Sequence, residues 1–344
     1  MAAAYGDKLG GFMQSSFVGF ALSMANDTGI LQVLIEAQTP LTSQEIADSK
    51  ELKERYVREL LNCLATAELI HVSTNEAGSL VYHIQEDEKQ VFKTPLKPFI
   101  SFVSVFASLY KNIKGCISKS GPYGTRYSDE THDVIAEFGH CFLDMHVDSL
   151  VNRVDGLKER LENGIEVLEV GCGRGLLLTR LAQMFPKSTF IASDNVPSLL
   201  EQLKANLGHI PNIKFEILDL CAQPDQPTRQ FDLIYCVDVI HDLPNPPAAL
   251  DAIRKIVKKP DGVFAMIDIA TSGSPIADRG NLGVACFYIG STFLCIPESF
   301  QREDSLAFGS CWGKKMAIDV ATAAGFHVKA IDLDHDFALY ICKV

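Results

Sequence analysis

The run Glu169-Val170-Gly171-Cys172-Gly173-Arg174-Gly175 stands between an apolar stretch and a helical pattern. Glycines at such a point let the chain turn sharply and bring its backbone close to a ligand, in the crevice beyond the ends of parallel strands. Dinucleotide folds use a similar turn, but their fingerprint continues toward a third glycine where this chain has Leu176, and Glu169 would repel a pyrophosphate. Carboxylates recur further along: Asp194, Asp219 and Asp238 each close an apolar stretch of their own. Singly, each Asp reads equally as a helix cap or a turn residue. At matching positions they line one crevice with negative charge, suited to a ligand with a ribose, no phosphate and a positive charge. S-adenosylmethionine, with its sulfonium and ammonium groups, has all three properties.

His241, just beyond Asp238, is the candidate for proton chemistry, with Asp242 beside it. Methyl transfer is an in-line displacement at a sulfonium, so positioning and desolvation supply most of the acceleration. A hydroxyl, thiol or protonated amine acceptor must also lose a proton, and His241 is read as the base that takes it. The same imidazole reads equally as a residue that shapes the cofactor pocket. His132, His140 and His146 do not fall on one face of their helical segment, and no metal site is expected.

Strands separated by helices must position these residues. Strands are expected at Ile165–Val170, Thr189–Ser193, Lys214–Leu218, Phe231–Val237, Val263–Asp268, His327–Asp332 and Phe337–Cys342, with helices at Leu176–Phe185, Ser198–Leu207 and Pro247–Val257. Strand-helix alternation makes parallel βαβ units, so the fold class is α/β, doubly wound. The last two strands are joined too closely for a crossover and are expected to pair antiparallel. Thr271–Trp312 breaks the rhythm with an aromatic-rich insertion, read either as a substrate lid or as a hairpin packed on the N-terminal region. Ser128 is expected to cap a helix reaching about Val154.

The N-terminal region reads differently. Apolar residues recur at helical spacing from Ser15 to Ala37, Thr42 and Glu45 form a capping box, a helix is expected over Leu52–Leu69, and two short alternating runs around His71 and Tyr82 form a hairpin. That outline is a winged helix, but residues 1–100 hold eight Lys and Arg against thirteen Asp and Glu. A nucleic-acid reader needs a basic footprint, so dimerisation or substrate covering is the expected role. The whole chain of 344 residues carries a net charge of −12, which argues against nucleic acid and an anionic membrane as partners. Its ten cysteines form no CxxC, and the apolar run Phe99–Tyr110 is too short to span a bilayer. A cytoplasmic, reduced protein is expected. The domains are placed at 1–98 (winged helix, dimerisation), 99–160 (helical connector) and 161–344 (cofactor domain).

Glu169 to Gly175, Asp194, Asp219 and the expected strands resemble class I S-adenosylmethionine-dependent methyltransferases. Glu54-Arg55-Tyr56-Val57-Arg58-Glu59, Ile240-His241-Asp242 and Trp312-Gly313 resemble a subgroup with an N-terminal winged helix, known from actinobacteria and with animal relatives. The resemblance covers nearly the whole chain. It implies a seven-stranded Rossmann-like sheet with its last strand antiparallel. Glu169, Gly171 and Gly173 would line the methionine portion of S-adenosylmethionine, Asp194 the ribose, Asp219 with Leu220 the adenine, and Asp238 to Asp242 the methyl group, with Gly175 and Asn195 also among the cofactor-binding residues. Relatives often carry a His-Cys pair where this chain has Leu294-Cys295, so a substrate contact made there does not transfer. The expected function is methylation of a small-molecule O, N or S acceptor by a homodimer. The alternative is a winged-helix regulator whose methyltransferase fold senses the cofactor.

Overall fold

The computed structural model describes residues 2–222 and 229–344, and the chain divides into two compact units at Ser108/Leu109. That division lies inside one continuous helix, Leu96–Cys116, ten residues beyond the boundary expected from sequence.

The first unit packs helices Ile30–Glu36, Ser43–Ser49 and Glu54–Thr66 against a three-stranded antiparallel sheet in which Leu80–His83 lies between Leu41–Thr42 and His71–Thr74. The capping box forms: Thr42 Oγ1 accepts the Glu45 N–H, and the Glu45 carboxylate accepts the Thr42 N–H at 2.7 Å. Leu31, Leu34, Ile46, Leu61, Leu64 and Tyr82 fill the core. The first helix is longer than its periodicity implied, running Ala2–Asp27, and it leaves Phe12, Phe17, Phe20 and Met24 about half exposed or more.

The second unit is built on seven strands: β1 (Glu166–Val170), β2 (Thr189–Asp194), β3 (Ile213–Ile217), β4 (Leu233–Val237), β5 (Val263–Ile269), β6 (His327–Asp332) and β7 (Phe337–Lys343). Their order is β3-β2-β1-β4-β5-β7-β6. β1 to β5 run parallel, and β7 is antiparallel to both its neighbours. Successive residues of a strand face opposite sides, so Val167 joins one core with Leu178 and Phe190 while Leu168 joins the other with Ile234 and Phe264. Burial on both faces is why these strands read as continuous apolar runs.

Three local expectations shift. Phe231 makes an isolated bridge to Val257, so β4 begins at Leu233. The helix capped by Ser128 ends at His140 and a second runs Leu143–Arg153, because Phe142 turns inward against Phe138 and Phe337. The insertion after β5 contains helices Leu282–Phe293 and Cys295–Ser299. By length and composition alone, Leu282–Ser299 is long and apolar enough to cross a membrane.

Candidate active site

The turn after β1 is held in the left-handed region at Gly171, Gly173 and Gly175, with φ of 64°, 51° and 68°. At Gly173 a side chain would project into open space within the crevice, so its absence leaves the backbone accessible. Asp194, the last residue of β2, braces this loop: its carboxylate accepts the Gly173 N–H at 3.3 Å and the Val196 N–H at 3.0 Å. Asn195 is exposed beside it. Arg174 ties the loop outward to Asp133 and Gln202, at 2.8 and 2.6 Å. Beyond β3, Asp219 accepts the Cys221 N–H at 2.8 Å, and Leu220 is buried.

Glu169 lies at the C-terminal end of β1 and is 5% exposed. Its Oε2 has no hydrogen-bond partner, and burial, reinforced by the nearby Asp194, pushes its pKa up to about 8. A neutral carboxyl here is primed to ionise when a cation arrives.

A second cluster of polar side chains forms where the chain leaves β4. Asp238 adopts a left-handed φ of 52°, and its buried Oδ1 is unpartnered. Burial, together with the Asp268 charge, raises its pKa to about 8. A short 3-10 turn, Ile240–Asp242, then delivers His241 into the interior, 2% exposed. Its Nδ1 is 2.8 Å from Oδ1 of Asp268, a fully buried residue of β5. Trp312 Nε1 donates to the same oxygen at 3.3 Å. On the other side of the ring, Nε2 is 3.2 Å from Asp242 Oδ1. Burial alone would lower the imidazole pKa, but Asp268 and Asp242 outweigh it and hold the pKa well above its ordinary value. A proton-accepting His241 therefore requires that charge balance to change when ligands bind.

Asp242 is fixed in turn by Tyr127, whose hydroxyl donates to Oδ2 at 2.8 Å. Tyr127 is held by Glu298, which accepts its backbone N–H at 2.9 Å and pairs with Arg126. The side-chain donor atoms of His241, Asp242 and Cys295 lie within 4.8 Å of one another. The site brings His241 and Asp242 within 3.2 Å of each other, although neighbours in sequence need not touch. It adds Asp268, Tyr127 and Glu298, which motif reading did not single out, and Cys295, noted there only as part of a departure from relatives. Asp268 had a signal, a carboxylate inside the apolar run Val-Phe-Ala-Met-Ile-Asp-Ile; Tyr127 had none nearby.

Residues 161–289 match a methyltransferase domain, and residues 16–92 match an Rv2258c-like winged HTH domain. The chain carries a methyltransferase domain preceded by a winged helix-turn-helix domain. The methyltransferase fold is shared across the full length with human N-acetylserotonin methyltransferase in complex with S-adenosylmethionine, at a TM-score of 0.70 and 16% identity, covering 99% of this chain and 97% of that one. An O-methyltransferase family protein from Burkholderia thailandensis superposes with a TM-score of 0.71 at 15% identity, covering 100% and 98%. In sequence, a ubiquinone biosynthesis O-methyltransferase from Albidiferax ferrireducens is 29% identical over 101 residues, which is 29% of this chain and 40% of that protein. The chain spans less than half the length of the first curated relatives it matches.

Proposed function

We propose that this protein transfers the methyl group of S-adenosylmethionine to a small-molecule acceptor, with oxygen as the atom methylated. The observation that carries the reading is the orphaned, buried Oε2 of Glu169 beside a glycine loop whose backbone is open at Gly173. A buried carboxyl oxygen without a partner is costly unless a ligand answers it, and the ammonium of the cofactor's methionine portion would do so. Asp194 with Asn195 would hold the ribose, Asp219 and Leu220 the adenine, and the loop glycines the methionine backbone. Asp238 would face the sulfonium side. When bound, the cofactor supplies a methyl group already activated on a sulfonium.

The residues of the chain then have two tasks. The packed surroundings of His241 exclude water, which strengthens every charge interaction around the reacting atoms. His241 and Asp242 are the catalytic residues of this reading and would face the acceptor hydroxyl, which must lose its proton. The relatives named as O-methyltransferases support oxygen over nitrogen or sulfur.

Two further readings belong with this one. A homodimer through the first helix would cover Phe12, Phe17, Phe20 and Met24, whose exposure exceeds what an isolated surface usually tolerates. Light scattering on the full chain at micromolar concentration should give a dimer that deletion of residues 1–37 abolishes; an unchanged dimer, or a full-length monomer, refutes it. A cytoplasmic location accords with ten cysteines that are all unpaired.

The test of the main reading is calorimetry followed by a labelling screen. S-adenosylmethionine should bind and NAD should not, and incubation of a metabolite extract with isotopically labelled cofactor should mark a compound bearing a new O-methyl group. Tight NAD binding without S-adenosylmethionine binding overturns the assignment.

A further inference from the structure

Three potential metal-ligand atoms come together beyond the end of β4. His241 Nε2 and Asp242 Oδ1 are 3.2 Å apart, and Oδ1 is buried with no well-aligned hydrogen bond. Cys295 Sγ completes the convergence, with the three donor atoms within 4.8 Å of one another. A tetrahedral ion bound at about 2.0–2.3 Å by nitrogen, oxygen and sulfur sets its ligands roughly 3.3–3.8 Å apart.

The supporting residues fit the same picture. Asp268 engages His241 at Nδ1, 2.8 Å away, and leaves Nε2 to point toward Asp242 and Cys295. A carboxylate behind the histidine is the usual device for fixing the tautomer and orientation of a metal-ligating imidazole. Trp312 steadies Asp268, and Tyr127 occupies Asp242 Oδ2 at 2.8 Å, which leaves Oδ1 as that side chain's free donor. On the Nδ1 side, where Asp238 also approaches, the contact with Asp268 is already a complete hydrogen bond, so the open side of the ring is Nε2.

We propose that His241 Nε2, Asp242 Oδ1 and Cys295 Sγ form a binding site for a divalent, borderline-soft cation of the zinc class. Three protein ligands of mixed N, O and S type leave a fourth position open, as in catalytic rather than structural zinc sites. The inference rests on the methyltransferase reading for its chemistry. An ion held there would lower the pKa of an acceptor hydroxyl at its fourth position, whose proton would be lost to solvent as the acceptor enters. An oxygen lone pair then forms the bond to the methyl carbon while the carbon–sulfur bond breaks, and that electron pair returns to sulfur as a neutral thioether. His241 and Asp242 act here by holding the ion.

Co²⁺ added to the metal-stripped full-length protein is the direct probe. A single equivalent should bind and give a near-ultraviolet thiolate-to-cobalt band with visible transitions typical of four-coordination. Cys295→Ser should abolish the thiolate band. Asp268→Asn should keep the band but weaken Co²⁺ affinity by about 10–100-fold. Elemental analysis of protein purified without chelator should find zinc, and chelation should remove methyl transfer but leave S-adenosylmethionine binding measurable by calorimetry. Absence of a saturable Co²⁺ spectrum in the wild-type protein overturns the proposal, as does a band that survives Cys295→Ser, or full methyl transfer by demonstrably metal-free protein. Each of these outcomes leaves cofactor binding intact, whereas failure of the methyltransferase reading would remove that binding too.

Discussion

The cofactor end and the acceptor end of the crevice are built on opposite plans. At the proposed cofactor end the ligand would meet a glycine loop and carboxylates near successive strand ends, so the recognition groups would come in chain order from successive βα turns. The acceptor end gathers Tyr127, His241, Asp242, Asp268, Cys295 and Trp312 from segments far apart in sequence. The first plan depends on backbone conformation and tolerates change in side chains that do not contact ligand. The second depends on a network in which each polar group is fixed by the next, and such a network loses much when any member is removed.

If that contrast is correct, damage at the acceptor end should appear in turnover and damage at the cofactor end in binding. The largest effect is expected for His241→Asn, which should lower kcat by roughly 10²–10⁴ while calorimetry finds cofactor affinity nearly unchanged. Near-normal turnover at saturating substrate would break the comparison. Asp194→Ala should do the reverse, weakening cofactor binding by about 2 kcal/mol, or roughly 30-fold, because hydrogen bonds to a charged acceptor are lost. Thermal melts of the unliganded variant would separate this from collapse of the loop that Asp194 braces.

A smaller effect concerns pH. The Glu169 pKa is raised from 4.5 to about 8 by burial, so the group is neutral in the unliganded protein at pH 7 and must ionise to pair with the cofactor's ammonium. Affinity should therefore rise as pH increases toward 8, by up to about tenfold per unit, and level off above it. The linked stability of the unliganded protein has the opposite sign. It is fully present below the unfolded-state value of 4.5 and declines as pH rises through 8. Glu169→Gln should flatten both profiles, which calorimetry and thermal melts at several pH values would check. The smallest effect is expected for Tyr127→Phe. Loss of one hydrogen bond to Asp242 should cost about 0.5–1.5 kcal/mol in turnover and nothing in cofactor affinity; a change confined to cofactor affinity would place Tyr127 at the wrong end.

The same contrast explains what sequence could reveal. Glycines that need left-handed φ, strands buried on both faces and the Thr42–Glu45 capping box are local consequences of local residues, and all were legible. Asp268 was half legible, since a carboxylate in a buried strand demands a partner, but which partner is a matter of how β4 and β5 align. Tyr127 lies 115 residues from Asp242 and joins it only through tertiary packing, so no nearby pattern marks it. The break at Cys141–Phe142 failed for a related reason. The apolar period runs on through Phe142, and only its contact with Phe337, nearly two hundred residues later, turns the chain.

Gly171 gives the two ends a shared dimension. A methyl group on its Cα would lie 2.7 and 2.9 Å from the two γ-carbons of Val239, so loop and post-β4 segment abut with no clearance. Val239 is two residues before His241, and its carbonyl accepts the Asp242 N–H at 3.0 Å. Glycine therefore works as a spacer of minimum thickness: it sets how near the loop proposed to receive the methyl donor stands to the segment proposed to face the acceptor. In-line transfer requires reacting atoms about 3–3.5 Å apart, a tolerance smaller than the shift that one added carbon would impose. The chain gauges its transfer distance where a side chain has been left out.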